Sequence, residues 1–181
     1  MEKNQVKIDD LKRYIELYDM EKYLFDVIGS EASKRGYLTF EGFYKICMWK
    51  SARQKQKYIS VKNRNEVEAV TRSAFAEQDE RKRMEKLCGL SGVGIPTASA
   101  ILSVIFPEKY AVIDIRCLEM LREKFGYKIS KQTSLKSWVE YLNIMRNLAR
   151  ENAITPRKLD MALFAMHREK LMNEDYRNLY R

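Results

Sequence analysis

Turn-forming residues are scarce in this chain: its 181 residues include only seven glycines and three prolines. Sandwiches and barrels need a turn roughly every 8–12 residues, so this scarcity favours long helices over many short strands. The fold class expected is all-α. Apolar residues make up 45% and charged ones 33%, enough for a soluble globular domain with a real core. No apolar run approaches the roughly 18 residues of a membrane span, and the opening MEKNQVKIDD lacks the apolar stretch of a secretory signal. Cys47, Cys88 and Cys117 are widely spaced, with no CxxC or Cys/His pairing. Disulfides, a zinc site and a cysteine-held iron–sulfur cluster are therefore not expected, and the expected setting is intracellular and reducing.

Apolar periodicity divides the chain into helices. One is expected over Leu11, Tyr14, Ile15 and Tyr18, continuing through Tyr23 to Ile28 after a start at Asp9–Asp10; a second follows Thr39. Residues 51–63 read as a polar loop, and Asn65-Glu-Val-Glu68 as the cap of a helix through Phe75. Asp79 caps a helix to Cys88, Pro96 opens one to Ile105, and Asp114 starts one to Lys124. An amphipathic helix is expected over 134–152, and a last one from Thr155-Pro156, fraying after Glu169. The whole reads as one helical domain over 1–181, divisible into an N-terminal lobe, 1–63, and a hairpin and C-terminal lobe, 64–181.

Charge is distributed unevenly. The net charge is +9, yet residues 1–40 carry seven basic and eight acidic side chains. Lys45–Arg64, by contrast, holds seven Lys/Arg and no acid. Such a block attracts polyanions through Coulomb forces and counterion release. Arg53, Lys55 and Lys57 are its candidate phosphate contacts.

The stretch LSGVGIPTASAIL, Leu90–Leu102, admits several readings. It lacks the Lys-Ser/Thr of a Walker A loop and the third glycine and preceding strand of a dinucleotide fingerprint. A helix, a tight hairpin and a second helix remain. Gly92 and Gly94 let a ligand approach the main chain, and the start of the helix at Pro96 offers free N–H groups at a positive dipole end. A packing hairpin without a ligand fits the same residues.

Leu90-Ser-Gly-Val-Gly-Ile-Pro-Thr-Ala98, with Ile101–Leu102 behind it, resembles the helix-hairpin-helix element of the DNA glycosylases and base-excision endonucleases. FPEKYAVID places Asp114 about twenty residues beyond Gly94, where that superfamily carries its catalytic aspartate. ICMWKSARQ more faintly resembles the helix that faces the extruded nucleotide. The resemblance covers about Met84–Leu121, a fifth of the chain. It implies a helix-hairpin-helix glycosylase-like helical bundle and a double-stranded DNA partner held by Ser91, Gly92, Val93, Gly94, Thr97 and Ala98. No cofactor is expected, although the resemblance allows a monovalent cation at the hairpin; no obligate protein partner is evident in the sequence, and the expected setting is cytoplasmic and nucleoid-associated. The chain departs from the pattern where lyase-type members carry a lysine, since Pro96 stands there. It also lacks the four clustered cysteines of the iron–sulfur branch, and Ile115-Arg116 follows the aspartate instead of a small or polar pair.

The chemistry follows from charge. As a base leaves, positive charge grows on the sugar, and a carboxylate near C1′ stabilises it and orients or deprotonates water. Asp114 is the candidate, with a plain helix cap as its other reading. Trp49 could stack on an extruded base or belong to the core. Lys50 beside it is a candidate nucleophile, and Arg116 a partner for Asp114 or a phosphate. His167, the only histidine, has no ligand partner and reads as a surface or half-buried imidazole. Arg157 and Asp160 read as an ion pair on one helix face. The function expected is a monofunctional DNA glycosylase using an aspartate-assisted water. A non-enzymatic helix-hairpin-helix DNA-binding module is the alternative, and a helical scaffold a third reading.

Overall fold

The computed structural model describes residues 19–179, with side chains through Asn173. The chain is all-α, and no strand occurs among the described residues. The expected start at Asp9–Asp10 and its first apolar positions lie outside them. Asp19 caps α1 (Met20–Tyr23), which runs through a π-helical stretch, Leu24–Gly29, into α2 (Ser30–Arg35). Thr39 caps α3 (Phe40–Ser51), its hydroxyl accepting from the Gly42 N–H at 3.2 Å. Beyond lie α4 (Lys55–Tyr58), α5 (Val61–Ala76), α6 (Glu80–Cys88), α7 (Ile95–Ile105), α8 (Ile115–Glu123), α9 (Leu135–Glu151) and α10 (Pro156–Leu179).

Most boundaries follow local capping. Asp79 accepts from the Lys82 N–H at 2.9 Å, and Ser134 with Ser137 forms a reciprocal capping box at the start of α9. Two expectations are corrected. Residues 51–63 are mostly helical: a 3₁₀ turn over Ala52–Gln54, then α4, then the first turn of α5. The cause is Tyr58, fully buried, edge-on to Phe43 at 6.2 Å, its O–H donating to the Ser51 carbonyl at 3.1 Å. One aromatic anchor thus overrides a polar composition. The second is the start of α5, four residues before Asn65, because Ser60 caps it, accepting from the Asn63 N–H at 3.3 Å. In addition, α10 continues past Glu169 to Leu179.

The centre of the fold is α7. Every residue from Thr97 to Ile105 is buried, which matches a sequence that is small or apolar all round. On one side α3 packs along it. On another the π-helical stretch comes so close that a Cβ on Gly29 would sit 2.2 Å from the Val104 carbonyl oxygen. Only glycine fits there. Elsewhere α5 packs on α6, and α10 packs on both α8 and α9. One continuous apolar core includes Leu24, Phe43, Met84, Ile101, Trp138 and Leu163. Glu80 ties its rim together, accepting from Arg83 at 2.8 Å, the Tyr110 hydroxyl at 2.9 Å and Arg146 at 2.9 Å.

Candidate active-site cleft

Asp114 is placed by the segment before it. Ala111–Ile113 is buried and belongs to no helix or strand, so side chains must satisfy its polar groups. The Ile113 N–H donates to Ser99 Oγ at 3.0 Å, and the Ser99 hydroxyl donates to the Pro96 carbonyl at 2.8 Å. The Val112 carbonyl accepts from the Tyr141 hydroxyl at 2.9 Å, and the Val112 N–H donates to Asp160 Oδ2 at 2.6 Å. Helices α7, α9 and α10 therefore grip this segment from separate directions, and Ser99 links it to the first turn behind the hairpin. None of these three residues was singled out in sequence as positioning Asp114. The available signal was a serine and an aspartate within otherwise apolar helix faces.

Asp114 caps α8, one carboxylate oxygen accepting from the Arg116 N–H at 3.0 Å. The other accepts from Lys50 Nζ at 2.9 Å, and the Arg116 guanidinium stands 3.4 Å from the first. Both partners of the central pair are well shielded, with 14% of the Lys50 side chain and 19% of the Asp114 side chain exposed. Burial pushes the Asp114 carboxyl up, but the Lys50 charge, the Arg116 N–H and the Arg116 charge together outweigh it. Its pKa lies below the ordinary carboxylate value, so it is ionised at neutral pH.

The pair lies on the wall of a cleft of about 870 Å³, within the size of small-ligand sites. Trp49 and Lys50 come from the end of α3, Asp114 and Arg116 from the start of α8, and Met161 and Phe164 from α10. Trp49 is half-buried, edge-on to Phe25 at 6.0 Å, with the Arg157 guanidinium 5.6 Å from its ring. Phe164, 37% exposed and 5.2 Å from the Arg116 guanidinium, is the more open aromatic surface, and sequence periodicity alone did not single it out. Arg157 and Asp160 do pair, Arg157 also meets Glu21, and both line the cleft. Burial raises the Asp160 carboxyl against the pull of Arg157 and the Val112 N–H, to about 7. His167 is buried, not at the surface, with Nε2 3.6 Å from Glu119.

The hairpin is held by Asn63 of α5, which is fully buried. Its carbonyl oxygen accepts from the Ser91 N–H at 2.7 Å. Its amide donates to the Ser91 carbonyl at 2.8 Å, to Lys57 O at 3.0 Å and to Tyr58 O at 3.1 Å. One side chain thus joins the hairpin to the basic segment. Gly92 has φ +82°, and a Cβ there would lie 2.8 Å from Lys57 Cβ. Val93, Thr97 and Ala98 are buried, and their N–H groups bond to Leu90 O and Gly94 O, so their side chains face the core. Ser91 and Gly92 are half-buried and Gly94 exposed, while Arg53, Lys55 and Lys57 are exposed alongside. The structure thus groups Ser91–Gly94 with Lys57, and Lys50 with Trp49, Asp114 and Arg116. Comparison of the chain with known protein families, curated proteins and solved structures returns no match. The chemistry therefore rests on these residues.

Proposed function

We propose that the chain binds double-stranded DNA and hydrolyses the N-glycosidic bond of a nucleotide extruded into the cleft. One observation carries this reading: an ionised, shielded carboxylate, Asp114, faces a cleft with an aromatic wall and lies next to the helix that begins at the glycine hairpin. The hairpin main chain and the exposed Arg53, Lys55 and Lys57 grip phosphates. The extruded base enters beside Phe164 and Trp49. Asp114 stabilises the positive charge that grows at C1′ and takes a proton from the attacking water as the bond electrons leave with the base. The likeness to helix-hairpin-helix glycosylases supports the same assignment.

The test is base release from duplexes carrying a panel of damaged or modified bases, read as strand breaks after alkali. Asp114→Asn retains a cap acceptor but loses the charge. It is expected to slow release at least about a hundredfold while binding DNA as before. No release from any duplex, with DNA binding intact, would leave the non-enzymatic binding module as the function. No DNA affinity even at low salt would favour a helical scaffold.

A further inference from the structure

We infer that a strip of arginines seated on aromatic rings, Arg64 and Arg72 of α5 with Arg35 of α2, holds the DNA backbone on one flank of the extruded nucleotide. The inference rests on reading the hairpin as a DNA grip and adds a second contact zone to it, away from the cleft. Its starting point is Tyr37, just beyond Gly36, whose left-handed φ of +79° ends α2. The Arg72 guanidinium lies 4.0 Å from the Tyr37 ring centroid, and that of Arg35 lies 5.3 Å from it. Phe40, stacked on Tyr44 at 6.5 Å, carries the Arg64 guanidinium at 5.9 Å. One buried hydrogen bond sets this register: the Leu38 N–H donates to the Thr71 hydroxyl at 3.0 Å, which puts Tyr37 beside Arg72. Thr71 is fully buried and donates in turn to the Val67 carbonyl at 2.7 Å, so the meeting of the turn with α5 is built into the fold.

Uncompensated charge makes the strip a binding surface. Glu68 stands one turn from both Arg64 and Arg72 along α5, the spacing at which helical ion pairs form. Yet both arginines are exposed, lie over rings and make no ion pair among the described residues. Arg35 reaches only the exposed Glu31, at 3.9 Å. A ring holds a guanidinium in place without neutralising it and leaves its N–H edge free for a phosphate. Along the helix Arg64 and Arg72 are about 12 Å apart, too far to share one phosphate, so the occupant presents phosphates in series. That length matches three or four steps of one DNA strand at about 3.4 Å each. The strip begins beside Asn63, which holds the hairpin, and runs away from it along α5. Phe40 opens α3, whereas Trp49 and Lys50 at the other end of that helix line the cleft. A duplex gripped at the hairpin therefore meets the strip on one flank only.

The test uses the full chain and duplexes holding one tetrahydrofuran abasic analogue, lengthened four base pairs at a time on either side of it. Binding is titrated by fluorescence anisotropy at several salt concentrations. Lengthening on one side is expected to raise affinity about tenfold, and lengthening on the other to add far less. Replacing Arg35, Arg64 and Arg72 with glutamine should remove that increment and make the salt slope on the long duplex shallower by about two to three units. Arg72→Gln alone should take away about one unit, so a folding fault in the triple variant, checked by circular dichroism, does not hide the answer. An equal rise on both sides, or an increment and slope kept by both variants, overturns the inference. So does displacement of the long duplex by polyglutamate as readily as by unlabelled duplex of equal charge, which would mark the strip as a seat for an acidic protein. Base release is not read in this assay, so a strip that fails while the native chain binds DNA leaves the glycosylase reading standing. Loss of the increment in the variants, with no base release from any duplex, sinks that reading and leaves the strip.

Discussion

Gly92 and Gly94 sit two residues apart and serve different purposes. Gly92 has both a left-handed φ and a neighbour, Lys57 Cβ, 2.8 Å from where its Cβ would go. Gly92→Ala therefore combines backbone strain with overpacking and should cost roughly 2–4 kcal/mol, read from denaturant midpoints. At Gly94 φ is −97° and the nearest atom to a Cβ is Pro96 Cδ at 3.9 Å. Gly94→Ala should fold nearly as well as the native chain yet bind duplex DNA more weakly, because a methyl there blocks approach to exposed main chain. The pair of variants separates a turn needed by the fold from a turn needed by a ligand. Asp114 shows the same duality within one side chain: the oxygen that caps α8 is legible in sequence, but the one that meets Lys50 is not.

Among elements, α5 carries most of the surface-facing consequences. Asn63 donates three hydrogen bonds and accepts one at the junction of α4, α5 and the hairpin. Asn63→Ala strands several buried groups and is expected to lose roughly 2–4 kcal/mol. In hydrogen exchange the amides of Ser91 and Val93 should lose protection first, while α9 and α10 keep theirs. DNA affinity should fall as well, although Asn63 itself is buried, since it presents the hairpin. Capping signals placed α3, α6, α9 and the start of α10 correctly, because a cap and its N–H partner lie within three residues. The 51–63 segment was misread because its one decisive residue, Tyr58, acts through Phe43 and the Ser51 carbonyl instead of through periodicity.

For the whole molecule, the packing sets the exposed basic segment beside the hairpin, and Asn63 joins the two. Replacing Arg53, Lys55 and Lys57 with glutamine should leave the fold intact, since all three are exposed. The dependence of log affinity on log salt should become shallower by about one unit per lost phosphate contact, measured by titration at several salt concentrations. The Ser60 cap of α5 was not legible in the sequence, but the all-helical class, most of the caps, the hairpin and the basic block were. Each is set by composition or by neighbours within about one helical turn, where local sterics and hydrogen bonding decide the outcome. The cleft was not legible. Lys50, Asp114 and Phe164 come from three helices, and they meet only because α3 lies along the buried α7 while α10 packs on α8. Tertiary packing alone decided that a capping aspartate also faces an amine across a cavity, because no local pattern records which distant side chain will fill the space beside it.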